Sequence, residues 1–392
     1  MRRNSWHSIP PVLAILPILL FWGCQRTKPS RSEEPIRIGA ILPLTGESAR
    51  YGQYIREGID LAVAEINTDH GINGRPLTII YEDDAAQPRL AASAMTKLAE
   101  IDHVPVVIGS WASGCVLAEA PIAEKMKVVV MAIAISPKIT AAGDYIFRIQ
   151  PSATSYINAL VPYLVHKVGV RKLAVLYVNN DFGLSQAADI REQFEAQGGT
   201  IVFAKGFPSG TADFRTEIAE LRKANPDAVF VPAYTEIASF LKQAREMGLS
   251  TRFVASVPFE NPDILKLAGS AAEGVIYPYH YCSGPANDLD KGFRIEFAKR
   301  YGKEPDGFAA LAYDAVRIIG SSLKAVGTDP DRIKAALYAT HDFPGVTGKT
   351  SFDSNGDVIK PIIIKTVVDG QFVDLPSGGG TSAQALGNQQ AD

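Results

Sequence analysis

From residue 36 to residue 373 the chain alternates short runs of β-branched and other apolar residues with segments whose apolar positions recur at helical spacing. The run 36–42, I-R-I-G-A-I-L, reads as a strand. Residues 52–67 then place Ile55, Ile59, Leu61, Ala62 and Ile66 on one helical face. Strand 77–81, helix 88–101, strand 106–108, a helix from about Val116, and strands 128–133 and 145–148 follow. The alternation continues with helix 155–168, strand 172–178, helix 181–196, strand 200–207, helix 214–224, strand 228–231, helix 237–247 and strands 252–256 and 274–277. Helices 288–301, 308–325 and 332–338 and strands 350–352, 361–368 and 371–373 complete the pattern. Such alternation implies parallel sheets covered by helices on both faces. It supplies more strands than one ordinary sheet holds. At 392 residues the α/β chain is expected to form two doubly wound, Rossmann-like lobes.

Open sheets of this kind bind ligands outside the carboxyl ends of their strands. Tyr51, Trp111, Ser113, Ala134, Phe182, Tyr234 and Val257 all fall just past expected strand ends. The stretch 106–115, V-V-I-G-S-W-A-S-G-C, is the most informative. A buried strand exits through Gly109, and Ser113 stands where the N-cap of the next helix is expected. Free N–H groups and the positive helix end make that position a receptor for carboxylates. The alternative is that Ser113 only caps its own helix.

The N-terminus is a separate matter. Arg2 and Arg3 precede an apolar run at 12–22, V-L-A-I-L-P-I-L-L-F-W, too short to span a bilayer and interrupted by Pro17. Gly23-Cys24 closes it like a bacterial lipoprotein cleavage site, although Phe21 and Trp22 depart from the usual motif. Residues 1–24 are thus expected to be a signal peptide with lipidation at Cys24. An ordinary signal peptide is the alternative. The polar segment 25–35 then forms a tether, and the tail 376–392 has no apolar face and is expected to be disordered. Export permits a bridge between Cys115 and Cys282, but two free thiols are equally compatible with the sequence.

Other chemistry has little support. A net charge of −3 without a basic stripe argues against nucleic-acid binding. No G-x-G-x-x-G follows a strand, and no Walker motif or G-x-S-x-G elbow occurs, so neither a cofactor nor an enzyme is expected. The six histidines are scattered and no metal site is expected. The run Glu82-Asp83-Asp84 reads as a solvated strand end, and residues 353–357, D-S-N-G-D, as a tight turn.

Several segments together resemble the type I periplasmic binding proteins, specifically the leucine/isoleucine/valine-binding family that serves ABC importers. They are I-R-I-G-A-I-L-P-L-T-G (36–46), Y-G-Q-Y-I-R-E-G-I-D-L-A-V-A-E-I-N (51–67), G-R-P-L (74–77), E-D-D (82–84), V-I-G-S-W-A-S-G (107–114), Y-I-F-R (145–148), D-F-G (181–183), L-K-Q-A-R-E-M-G-L (241–249), A-A-L-A-Y-D-A-V-R (309–317) and F-D-S-N-G-D (352–357). The resemblance implies two lobes joined by a multi-stranded hinge, 36–149 with 281–347 and 150–280 with 348–375. They would close as a monomer on one small ligand and present it to an inner-membrane permease, without chemistry. It places the protein in the periplasm or cell envelope. A sensor of the same fold, signalling to a partner, is an alternative.

Carried over by position, Ser113 matches the residue that receives the ligand carboxylate, and Tyr51 and Tyr234 match aromatic walls. Phe182 stands where relatives often carry Tyr, and Trp111 joins the aromatic set. Ala134 matches the residue whose carbonyl receives the ligand ammonium. Two positions depart. The family's head-group Thr is Ile135, and its acidic ammonium partner aligns with Val257. A buried ammonium without a paired carboxylate costs several kcal/mol. A carboxylate with an apolar aromatic or aliphatic body is therefore expected, unless Glu260, three residues beyond Val257, bends in to serve an amino acid.

Overall fold

The structure is a computed structural model and describes Met1 and residues 34–376. The expected leader with Cys24, nearly all of the tether and the tail beyond Pro376 lie outside the described residues. The first half of the fold runs β1 (Ile36–Leu42), α1 (Ala49–Thr68), β2 (Leu77–Asp83), α2 (Pro88–Glu100), β3 (Val106–Gly109), α3 (Ser113–Met126), β4 (Val129–Ala132) and β5 (Ile146–Arg148). Its strands form one parallel sheet in the order β2-β1-β3-β4-β5. β3 and β4 are buried along their whole length, as continuous apolar runs require when helices cover both faces.

A second cycle gives α4 (Ala153–Pro162), β6 (Lys172–Val178), α5 (Asp181–Ala196), β7 (Thr200–Phe207), α6 (Arg215–Ala224), β8 (Ala228–Val231), α7 (Glu236–Glu246), β9 (Arg252–Ala255) and α8 (Pro262–Ala268). These strands make a second parallel sheet, β7-β6-β8-β9. Two parallel-sheet lobes are thus present. The expected helix 155–168 ends early. After Pro162 the coil widens into a π-helical turn over Tyr163–Val168, since Pro162 has no N–H for the regular ladder. α8 was not expected, because seven residues are too few to show a helical period.

The rest of the chain is β10 (Tyr277–Tyr279), α9 (Asp288–Tyr301), α10 (Gly307–Val326), α11 (Pro330–Tyr338), β11 (Phe343–Gly345), β12 (Gly348–Phe352), β13 (Val358–Ile359), β14 (Ile363–Val368) and β15 (Gln371–Asp374). β10, β14 and β15 form a small antiparallel sheet. It adjoins the second lobe through a bridge between Val254 and Ile276. The strand expected at 274–277 therefore begins three residues later. α10 lies close against α1, where a Cβ on Gly58 would stand 2.1 Å from the Ala309 carbonyl oxygen. Only glycine permits that approach.

One expected boundary is wrong. Residues 348–359 belong with the first lobe. Asp357 bridges to Arg148 of β5, the Arg148 N–H donates to the Gly356 carbonyl at 3.0 Å, and the Phe147 and Phe352 rings lie 5.6 Å apart. The fully buried Arg148 guanidinium pairs with Asp357. A buried cation requires such a partner, and the turn 353–357 supplies it. The last crossing between lobes therefore follows Ile359, about a dozen residues later than the pattern suggests.

Candidate functional site

In each sheet the strand order reverses beside the first strand of its cycle, between β1 and β3 and between β6 and β8. Such a switch point opens a crevice at the carboxyl ends. The residues that follow these four strands meet there. Tyr51 of α1 and Trp111 after β3 stack at 4.3 Å between centroids, their planes 11° apart. Phe182 of α5 and Tyr234 after β8 stack at 4.6 Å. Trp111 and Tyr234 then join the two pairs across the lobes at 5.2 Å. Phe308, at the start of α10, meets Tyr51 edge-on at 5.5 Å. The Tyr51 hydroxyl donates to the Pro258 carbonyl of the second lobe at 3.0 Å. Burial pushes the pKa values of the Tyr51 and Tyr234 phenols up, so both stay protonated.

Beneath this wall lies a narrow cavity of about 10 Å³, the scale of a single water. Trp111, Ser113, Ala134, Ile135, Phe182, Tyr234 and Val257 line it, together with Gln150, Pro258 and Phe308. Outside the wall is an open cleft of about 540 Å³, bordered by Asn180, Asp181 and Glu236 of the second lobe and Gln87 of the first. Tyr51 faces that outer cleft.

The helix carrying Ser113 starts earlier than expected. α3 begins at Ser113, so the cap position is Ala112, in extended conformation and without a side-chain cap bond. Ser113 is instead the first helical residue, and its Oγ accepts from the Ser136 N–H at 3.2 Å. That bond leaves the hydroxyl proton of Ser113 available. The first-turn N–H groups of Ser113 and Gly114 have no acceptor among the described residues. The same turn therefore presents three donors at a positive helix end.

Glu260 does not join the cavity. Its carboxylate accepts from Lys365 Nζ and from the Tyr277 hydroxyl, both at 2.8 Å. Lys365 is fully buried, so Glu260 is committed to neutralising it. The loop does not bend inward, because α8 follows at once, with Asn261 as its N-cap. Asp84 is also not a solvated strand end. It is fully buried, accepts from the Ser110 hydroxyl and from the Ala86 N–H, and so fastens the turn that carries Trp111. Cys115 and Cys282 are both free thiols.

Three lining residues escape the sequence reading. Gln150 sits in a loop and Pro258 in the short 3-10 turn Val257–Phe259, neither with a period or motif. Phe308 reaches the wall only because α10 packs on α1. Its local signal is Asp306, the N-cap that accepts from Ala309 N–H at 2.8 Å.

The profile of the periplasmic binding protein family matches residues 35–371. The chain is 29% identical over 336 residues to the leucine-, isoleucine-, valine-, threonine- and alanine-binding protein of Pseudomonas aeruginosa, covering 84% of this chain and 88% of that one. It is similar to the crystal structure of a leucine-binding protein from Thermotoga maritima, with a TM-score of 0.82, 27% identity and coverage of 87% and 98%. It is also similar to a solute-binding protein of an ABC transporter from Rhodopseudomonas palustris, solved with 3,4-dihydroxybenzoic acid, with a TM-score of 0.78, 27% identity and coverage of 87% and 96%. Switch-point clefts in two facing lobes, and a family match across almost the whole described chain, make this protein a member of the periplasmic binding protein family, a non-enzymatic substrate-binding protein of an ABC transporter that works outside the cytoplasm.

Proposed function

We propose that the protein captures a small carboxylate with an apolar, preferably aromatic, body and passes it to a membrane permease. The observation that carries this reading is the charge inventory of the inner cavity. Besides the Trp111 and Tyr234 rings its polar side chains are Ser113 and Gln150, and no carboxylate lines it. An α-amino acid would leave its ammonium there without a counter-ion, at a cost of several kcal/mol. A carboxylate alone meets the three donors of the α3 first turn. Its apolar body meets Trp111, Phe182, Tyr234 and Phe308, whose ring faces suit another ring. A ligand of that size needs more than the room of one water, so the lobes part to admit it and close behind it. Tyr51–Pro258 and the Arg50–Asp263 pair at 2.6 Å span the lobes on closure.

The chain acts as a monomer in this reading, tethered to the membrane through a lipidated Cys24. Calorimetric titration with benzoate, 3,4-dihydroxybenzoate, hexanoate, leucine and valine tests the ligand class. Heat from the acids and none from the two amino acids is expected. The reverse pattern overturns the reading and returns the protein to the amino-acid binders.

A further inference from the structure

The inner cavity holds two hydrogen-bonding groups that a bare apolar acid leaves unused. One is the Gln150 side-chain amide, buried on the crossing segment just after β5. The other belongs to Ala134, a lining residue whose main-chain carbonyl has no donor among the described residues. Buried carbonyls are rarely left without a donor.

Gln150 also has structure behind it. Beside it stands the Tyr156 phenol, whose hydroxyl lies 2.6 Å from His280 Nδ1. All three side chains are buried. They come from the first crossing, α4 and the second crossing. The imidazole is neutral, because burial lowers its pKa to about 3. A neutral Tyr156–His280 pair therefore backs the Gln150 amide. An amide offers both donor and acceptor sites, so capacity remains for the cavity.

We propose that Gln150 is a specificity-determining residue which, with the Ala134 carbonyl, receives a hydroxyl substituent on the apolar body of the ligand. The inference rests on the carboxylate reading above and names its substrate class as hydroxylated acids, hydroxybenzoates foremost. A hydroxyl satisfies the Ala134 carbonyl without bringing a charge. An ammonium would do so only with a carboxylate that the cavity lacks. The ligand carboxylate already has the α3 donors, so the neutral amide is free for a neutral group. Sites built to hydrogen-bond a substrate hydroxyl discriminate strongly against analogues lacking it, because their polar groups are then left unpaired.

The test is calorimetric titration of the full chain with benzoate, 3-hydroxybenzoate, 4-hydroxybenzoate and 3,4-dihydroxybenzoate. At least one hydroxylated acid is expected to bind about tenfold or more tightly than benzoate. In Gln150→Leu and in Gln150→Met that preference is expected to shrink to about twofold, with benzoate itself much less affected. Binding of all four acids with no preference, or a preference that survives in a folded Gln150 variant, overturns the proposal but leaves the carboxylate reading standing. A uniform loss across all four acids in the Gln150 variants also overturns it, since Gln150 would then be serving the carboxylate. Binding of none of the four while leucine binds overturns the carboxylate reading and this inference with it.

Discussion

The Trp111 indole of the first lobe lies 5.2 Å from the Tyr234 ring of the second, and its opposite neighbour is Tyr51 at 4.3 Å. Of the three tryptophans, Trp6 and Trp22 fall in the expected leader. In protein lacking residues 1–24, Trp111 is the sole tryptophan. Its fluorescence is therefore expected to change on addition of a bound acid, because the ring must exchange a protein neighbour for the ligand. Trp111→Phe should abolish the signal while keeping a ring in the wall. Trp111→Ala should weaken binding by about 1–3 kcal/mol, the scale of an apolar side chain lost from a buried contact. A fluorescence spectrum indifferent to a ligand that calorimetry detects would place the ligand elsewhere.

Ser113→Ala removes one of the three donors at the start of α3. Affinity for a carboxylate is expected to fall by about 1–3 kcal/mol, the cost of an unmade hydrogen bond to a charged group. The loss is bounded because the Ser113 and Gly114 N–H groups remain. Calorimetry that finds no change takes the Ser113 hydroxyl out of the contact.

The double substitution Ile135→Thr with Val257→Glu restores a polar head-group side chain and an acid to the cavity. Leucine binding is expected to appear and benzoate binding to fall by about tenfold or more, since a buried acid repels a carboxylate and pairs with an ammonium. Without a ligand the new Glu is buried and unpaired, so a lower thermal midpoint that recovers on adding leucine is part of the expected outcome.

Glu260→Gln separates the Lys365 ion pair from the site. Among the described residues it leaves the buried Lys365 with only Asp374, at 3.5 Å, as an anionic partner. Stability in urea is expected to fall by as much as about 3–5 kcal/mol, the cost of breaking a buried ion pair from one side. Ligand affinity measured under native conditions should stay within about threefold, well under the loss of a charged contact. A selective loss of ligand affinity would put Glu260 back in the cavity.

His280 gives the fold a pH dependence. Its folded pKa of about 3 lies below the usual 6.5 because burial disfavours the imidazolium. Between those values the unfolded chain binds a proton that the folded one does not. Stability is therefore complete above about pH 6.5 and declines as pH falls toward 3, by at most about 1.4 kcal/mol per pH unit from this group. His280→Gln should flatten that slope in urea titrations at pH 7, 6 and 5. An unchanged slope would assign the acid sensitivity to carboxylates instead.

Much of the fold is legible in the sequence because its signals are local. The periods of 2 and 3.6 residues place β1, β6 and β7 and most helices to within a residue or two. Local signals fail where length or context intervenes, as in the seven-residue α8 and the π-turn after Pro162. The cavity is partly legible for the same reason: residues just past strand ends collect at a switch point, which gathers Trp111, Phe182 and Tyr234. Gln150, Pro258 and Phe308 carry no such mark, since their place depends on chain crossings and on α10 meeting α1.

The alternation of apolar periods was enough to dictate the α/β class, the paired parallel sheets and the end at which a ligand would enter, because backbone geometry converts those periods into faces. Set against the family that it resembles, the sequence also puts Val257 where an acid would be expected. Whether another acid filled the gap was a question of three-dimensional packing. Glu260 is near in sequence, but Lys365, more than a hundred residues later, needs a counter-ion in a place without water and takes it. The same holds for Asp84 and for the strands at 348–359, whose partners Ser110 and Arg148 are distant along the chain. A buried charge or hydrogen-bonding group goes to whichever partner the folded chain brings nearest.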